Sequence, residues 1–157
     1  MNKLMKEYIP LLGHYQNLKH QMLETLSDAD LAHTIQGSAS LGELCKEFGE
    51  TEQAYINSLK TYKLDFSYKN PDNELPKSTS ALLAWFANLD KEFKTLVEGY
   101  TDEDLEKKRI DRHGWPVPIQ QNLDIYKEAL LIFCGKAWVH LNALGKTLPE
   151  QWKDWIG

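Results

Sequence analysis

Cysteine is scarce in this chain: Cys45 and Cys134 are the only two among 157 residues, and no Cys-x-x-Cys pair occurs. That excludes a zinc ribbon and a thioredoxin-type redox site. Both thiols fall within predicted helices, where they read as small buried hydrophobes kept reduced in the cytosol. A basic surplus is lacking too. Against 18 basic side chains stand 23 acidic ones, a formal charge of −5, and the only basic cluster is Lys107-Lys108-Arg109. Such a surface repels phosphate backbones, so nucleic acid is not an expected partner. No apolar run reaches membrane-spanning length. The first is broken by Lys6 and Glu7 and leads to no small-residue cleavage site, so a cytoplasmic protein without a membrane partner is expected. Histidine pairs are missing as well: His14, His20, His33, His113 and His140 include no pair three or four apart, and no Glu-x-x-His occurs. That counts against a ferritin-like di-iron centre.

What is present is helical periodicity. The length suits a single domain, residues 1–157, with a real core. Pro118 to Leu144 is the organising stretch, and its middle, Ala129 to Cys134, is apolar all round, which predicts a helix buried on every side. Pro118 suits the first helical position and Gly145 the residue past the end. Asn2 to Thr25 carries Leu4, Ile9, Leu12, Tyr15, Leu18 and Met22 at helical steps, with Pro10 marking a kink or a late start. Ser40 and Glu43 form a capping box for a second long helix to about Lys60, which Gly42 and Gly49 either weaken or let approach a neighbour closely. Thr61 to Lys77, with Asn-Pro and Leu-Pro, reads as a long crossover loop. A third long helix runs from the Ser78 cap to Gly99, and Ile110 to Pro116 reads as a polar turn or short extended hairpin. Leu148-Pro149-Glu150 opens a short last helix whose Trp152 and Trp155 fall on one face and are expected to cap an end of the bundle.

Ser27-Asp28-Ala29-Asp30-Leu31 is echoed by Thr101-Asp102-Glu103-Asp104-Leu105. The echo suggests an internal duplication of two helix pairs and predicts that both segments occupy equivalent places at one end of the molecule. Together these features predict an all-α four-helix bundle with a long crossover between its second and third long helices.

Ser40 to Ile56, SLGELCKEFGETEQAYI, resembles the second-helix motif of the DinB/YfiT-like superfamily. Phe133 to Lys136 and Leu141 to Pro149, LNALGKTLP, resemble its last-helix motif. With the helix order, the resemblance spans nearly the whole chain. It implies a four-helix bundle, often dimeric, whose usual members hold a divalent metal such as nickel or zinc through three histidines and include thiol transferases and proteins assigned as hydrolases. The three ligand positions fall on Glu47, Ala129 and Phe133, with Lys136 where the family has Gln; Glu52 matches a family Glu. Glu47 is a possible ligand for a hard cation, but Ala129 has no donor atom and Phe133 puts a phenyl ring in the site. The expectation is a protein of this kind without the metal cofactor or metal-dependent catalysis. The alternatives are a pocket lined by Glu47, Tyr126, Glu128 and Phe133 that binds a small molecule, and a transferase or hydrolase with substitute ligands drawn from Cys45, Cys134 and His140. Glu47 is expected to be inward, partnered by Lys136, Tyr126 or His140; Phe133 is expected to be nearly fully buried.

Overall fold

Asn2 starts the first helix by accepting Met5 N–H at 2.9 Å, and its amide donates to Val97 O and Tyr100 O at the far end of the third long helix. The computed structural model describes residues 1–157. Helix α1 (Lys3–Glu7) breaks at Tyr8, and α2 (Ile9–Glu24) begins afresh with Pro10 in its first turn, where the missing N–H costs nothing. A 3₁₀ turn at Asp28–Ala32 leads to α3 (Leu41–Thr61), and both starts carry complete capping boxes, Ser27 with Asp30 and Ser40 with Glu43. A second 3₁₀ turn, Leu75–Lys77, closes the crossover before α4 (Thr79–Glu98). Next come α5 (Asp102–Lys107) and an antiparallel hairpin, β1 (Arg109–Asp111) with β2 (Pro116–Pro118). The hairpin turns through His113 and Gly114, both at positive φ. Helix α6 (Ile119–Ala143) and the short α7 (Glu150–Trp155) complete the chain. Pro118 is the residue before α6 rather than its first, and Gly145, at φ 67°, ends it. No helix is long and apolar enough to cross a membrane.

Side-chain pairings fix how the long helices run. Near their starts Gly42 meets Pro76, and near their ends Lys60 pairs with Glu92, so α3 and α4 are parallel. Phe48 stacks on Phe133 and Asn122 donates to Ser58, so α3 and α6 are antiparallel. Gln16 meets Tyr126 and Asp30 meets Lys146, so α2 and α6 are parallel. Each of α2 and α3 packs on both α4 and α6, giving a ring in the order α2, α4, α3, α6. Two parallel neighbours joined in sequence need a connection as long as the bundle, which is the physical reason for the 62–78 crossover. Its course is set by polar anchors. Glu50, nearly buried, accepts Asn70 N–H at 3.0 Å and the Lys46 and Lys69 ammoniums, while Leu64 N–H donates to Asp111 O of the hairpin.

Three expectations need correcting. Helix α6 is not buried all round: Ile132 is 62 % exposed and Val139 47 %. A helix in a four-membered ring has only one inward sector, and scattered apolar side chains on the outer one are ordinary. Helix α7 does not cap an end of the bundle. It lies along α2, with the buried Trp152 indole N–H donating to Leu18 O at 2.8 Å and Gln151 donating to His14 O, while Trp155 sits half out against Tyr15. The Ser27 and Thr101 segments lie at opposite ends, because they follow α2 and α4, which are antiparallel. Their roles correspond nonetheless: Asp28 accepts Thr79 N–H at the start of α4, and Asp102 accepts Lys3 N–H at the start of α1, both at 2.8 Å.

Candidate functional site

The positions singled out by family resemblance do meet. Glu47 of α3 and Ala129, Phe133 and Lys136 of α6 line one shallow depression of about 180 Å³ between these helices. Phe133 is 3 % exposed and stacks on Phe48 at 4.6 Å between ring centres, so the expected burial holds and the phenyl ring forms the floor. Glu47 departs from expectation: it is exposed, because its position on α3 is at the outer lip. None of its expected donors bonds to it, although Lys136 lines the same depression. The Tyr126 hydroxyl donates to Glu52, His140 Nδ1 lies 2.9 Å from His33 Nδ1, and Lys136 is exposed.

Tyr126 and Glu128 do not join that depression. Tyr126 is fully buried in the core, and Glu128 is exposed on α6. Nor do the substitute ligands converge. Both cysteines are buried, and burial pushes the Cys134 thiol up to about 12 and the Cys45 thiol higher still, far from the thiolate that ligates metal. Burial and the neighbouring His33 lower the His140 pKa. No group of three His, Cys, Asp or Glu side chains is placed to hold a metal ion.

The inward acid is Glu52, one turn and a half along α3 from Glu47. Around it all four long helices contribute polar side chains near the axis. Lys19 of α2, fully buried, lies 2.5 Å from Glu52 Oε2 and 2.6 Å from Oδ1 of Asp90 on α4. Tyr126 of α6 donates to Glu52 Oε1 at 2.9 Å and accepts from Gln16 at 3.3 Å. The Lys19 ammonium also sits over the Phe86 ring, 4.9 Å from its centre. Asp90 continues outward: its Oδ2 is 2.6 Å from His20 Nε2, and His20 is a fifth exposed.

Burial drives the carboxyl of Glu52 up to about 8, because desolvation outweighs the nearby Lys19 charge. Asp90 goes the other way. Burial works against its charge, but Lys19, His20 and Glu52 together hold its carboxyl below the ordinary range. Burial and the adjacent carboxyls raise the Tyr126 phenol well above its ordinary value. The Lys19 ammonium thus faces two carboxyls driven in opposite directions, Glu52 toward its neutral form by burial and Asp90 toward its ionised form by its donors.

Lys19, His20, Asp90 and Gln16 were missed in the sequence, although a signal was there. Lys19 sits in the stripe Leu12, Tyr15, Lys19, Met22, and Asp90 in the stripe Phe86, Asp90, Phe93, Val97. Charges at core-facing steps of separate helices, opposite in sign, are the mark of a buried pair.

No protein-family model matches the chain, and no curated protein does. Solved structures do. A DinB-like protein from Bacillus subtilis is 17 % identical over 96 % of this chain and 98 % of its own, with a TM-score of 0.71. A DinB-like protein from Bacillus cereus is 20 % identical over 89 % and 92 %, with a TM-score of 0.74. At these identities the likeness establishes the fold: the chain has the DinB-like fold over almost its whole length.

Proposed function

We propose that this chain is a metal-independent protein of DinB-like fold, without the metal-dependent transferase or hydrolase chemistry that the resemblance implies for other members. The observation that carries the reading is the stacking of Phe133 on Phe48, which fills with aromatic rings the place where the resemblance puts a ligand. Tight transition-metal sites bring at least three N, S or O donors to about 2.0–2.3 Å. Glu47, Ala129 and Phe133 offer one exposed carboxylate, a methyl group and a phenyl ring, so the donor set does not fit the metal. The other residues weighed as ligands give no help, since the cysteines are apolar-buried thiols and His140 is committed to His33.

Elemental analysis of protein purified without chelator tests this. Metal well below one ion per chain supports the reading, and one equivalent of nickel or zinc removed by EDTA refutes it. A pocket for a small molecule at the same place has less support: the depression is small, its acid lies at the lip, and two of the four residues expected to line it are elsewhere.

A further inference from the structure

The largest cleft of the molecule lies on the opposite side of the ring, between α2 and α4, with a volume of about 690 Å³. That is within the range of small-molecule sites, roughly 300–1,000 Å³. Its wall is apolar, from Met5, Ile9 and Phe93. The polar groups converge at the inner side, where His20, Gln16 and Asp90 line it, and Lys91 and Lys94 stand at the rim.

The charges in this cleft are not evenly matched. Asp90 is already engaged by Lys19 and His20. Neither Lys91 nor Lys94 takes part in an ion pair. A chain of net charge −5 therefore has, at its largest cleft, two unpaired ammoniums beside an imidazole. His20 bonds only through Nε2, to Asp90, which fixes the ring and leaves Nδ1 without a protein partner.

Behind His20 the chain Asp90, Lys19, Glu52, Tyr126 runs to the bundle axis and rests on all four long helices. Buried ion pairs of this kind contribute little net stability compared with apolar packing, so stability alone is a weak reason for the arrangement. It is what is needed to hold one imidazole rigidly in the lining of a cleft.

We propose that the α2–α4 cleft is a binding site for a small organic anion, a carboxylate carried on an apolar body, with His20 as the anchoring residue and Lys91 and Lys94 as its electrostatic rim. The apolar body lies along Met5, Ile9 and Phe93, and the carboxylate accepts from Nδ1–H of the imidazolium form of His20, whose Nε2–H is given to Asp90. This inference is independent of the metal question, since it uses the other side of the ring.

The test is a ¹H–¹⁵N NMR titration of the full chain with hexanoate, and with hexylammonium as a probe of matched apolar body and opposite charge. Expected are saturable shifts at the amides of Gly13, Asn17 and Lys94 with hexanoate, and binding of hexylammonium weaker by about tenfold or more. Lys94→Glu, an exposed change that leaves the core intact, is expected to weaken hexanoate by about fivefold, and His20→Gln by at least as much. Absence of saturable shifts, equal binding of the two probes, shifts confined to the Glu47 side, or hexanoate affinity unchanged in both variants would each overturn the proposal.

Discussion

At the scale of single residues, Phe133 closes the α3–α6 groove and Glu52 sits at the axis. Phe133 is buried against Phe48, so Phe133→Ala leaves a cavity between α3 and α6 and is expected to cost about 3–5 kcal/mol in urea unfolding. A loss under about 1 kcal/mol would mean that the groove collapses around the missing ring. Glu52 makes a prediction about pH. Its carboxyl is raised from 4.5 in an unfolded chain to about 8 in the fold, so between these values the folded state binds the extra proton. Stability from this group is therefore fully present below 4.5 and is lost as pH rises toward 8. Glu52→Gln cannot titrate, so the stability of the natural protein relative to that variant is expected to fall as pH rises through the window. A difference flat in pH would show that Lys19 holds Glu52 ionised throughout. Phe133 was legible in the sequence as a mid-run aromatic on the most apolar helix. Glu47 was not legible as exposed, because alignment to a motif gives a helix position but not how far the lip of a groove stands from the core.

At the scale of elements, Gly42 and Gly49 left two readings open, a weakened helix or a close approach, and the structure shows the close approach, though the two glycines are not equivalent. A Cβ at Gly42 would lie 1.8 Å from Pro76 O, which is backbone, whereas one at Gly49 would meet the Trp85 ring at 2.3 Å, a side chain only partly buried and able to swing outward. Gly42→Ala is thus expected to destabilise by about 1–3 kcal/mol, despite a helix-propensity gain of about 1 kcal/mol, by pushing the 3₁₀ turn Leu75–Lys77 off α3. Gly49→Ala is expected to cost less. Thermal unfolding of the two variants side by side checks the order, and a larger loss at Gly49 would contradict it. Helix starts were the most legible elements, since Ser40 and Ser78 both carry the caps read from the sequence. Helix α7 was misread because two indoles three apart define a face but not the neighbour that face will find.

At the scale of the molecule, the ring α2, α4, α3, α6 is built from two halves that exchange capping carboxylates, Asp28 to Thr79 and Asp102 to Lys3. The sequence echo was real in its chemistry and wrong in its placement, because periodicity does not say whether corresponding helices run parallel or antiparallel. The ring also separates two grooves with opposite character. Between α3 and α6, aromatic rings close the place where the fold resemblance leads one to look for metal; between α2 and α4, a cleft opens onto a fixed imidazole. The central claim concerns the first groove, and it is tested most directly by calorimetric titration of zinc into the natural chain and into the triple variant Glu47→His, Ala129→His, Phe133→His, whose three positions already line one depression. The account predicts no saturable binding by the natural chain and close to one equivalent for the variant. Stoichiometric, chelator-sensitive zinc binding by the natural chain would contradict it, whatever the variant does.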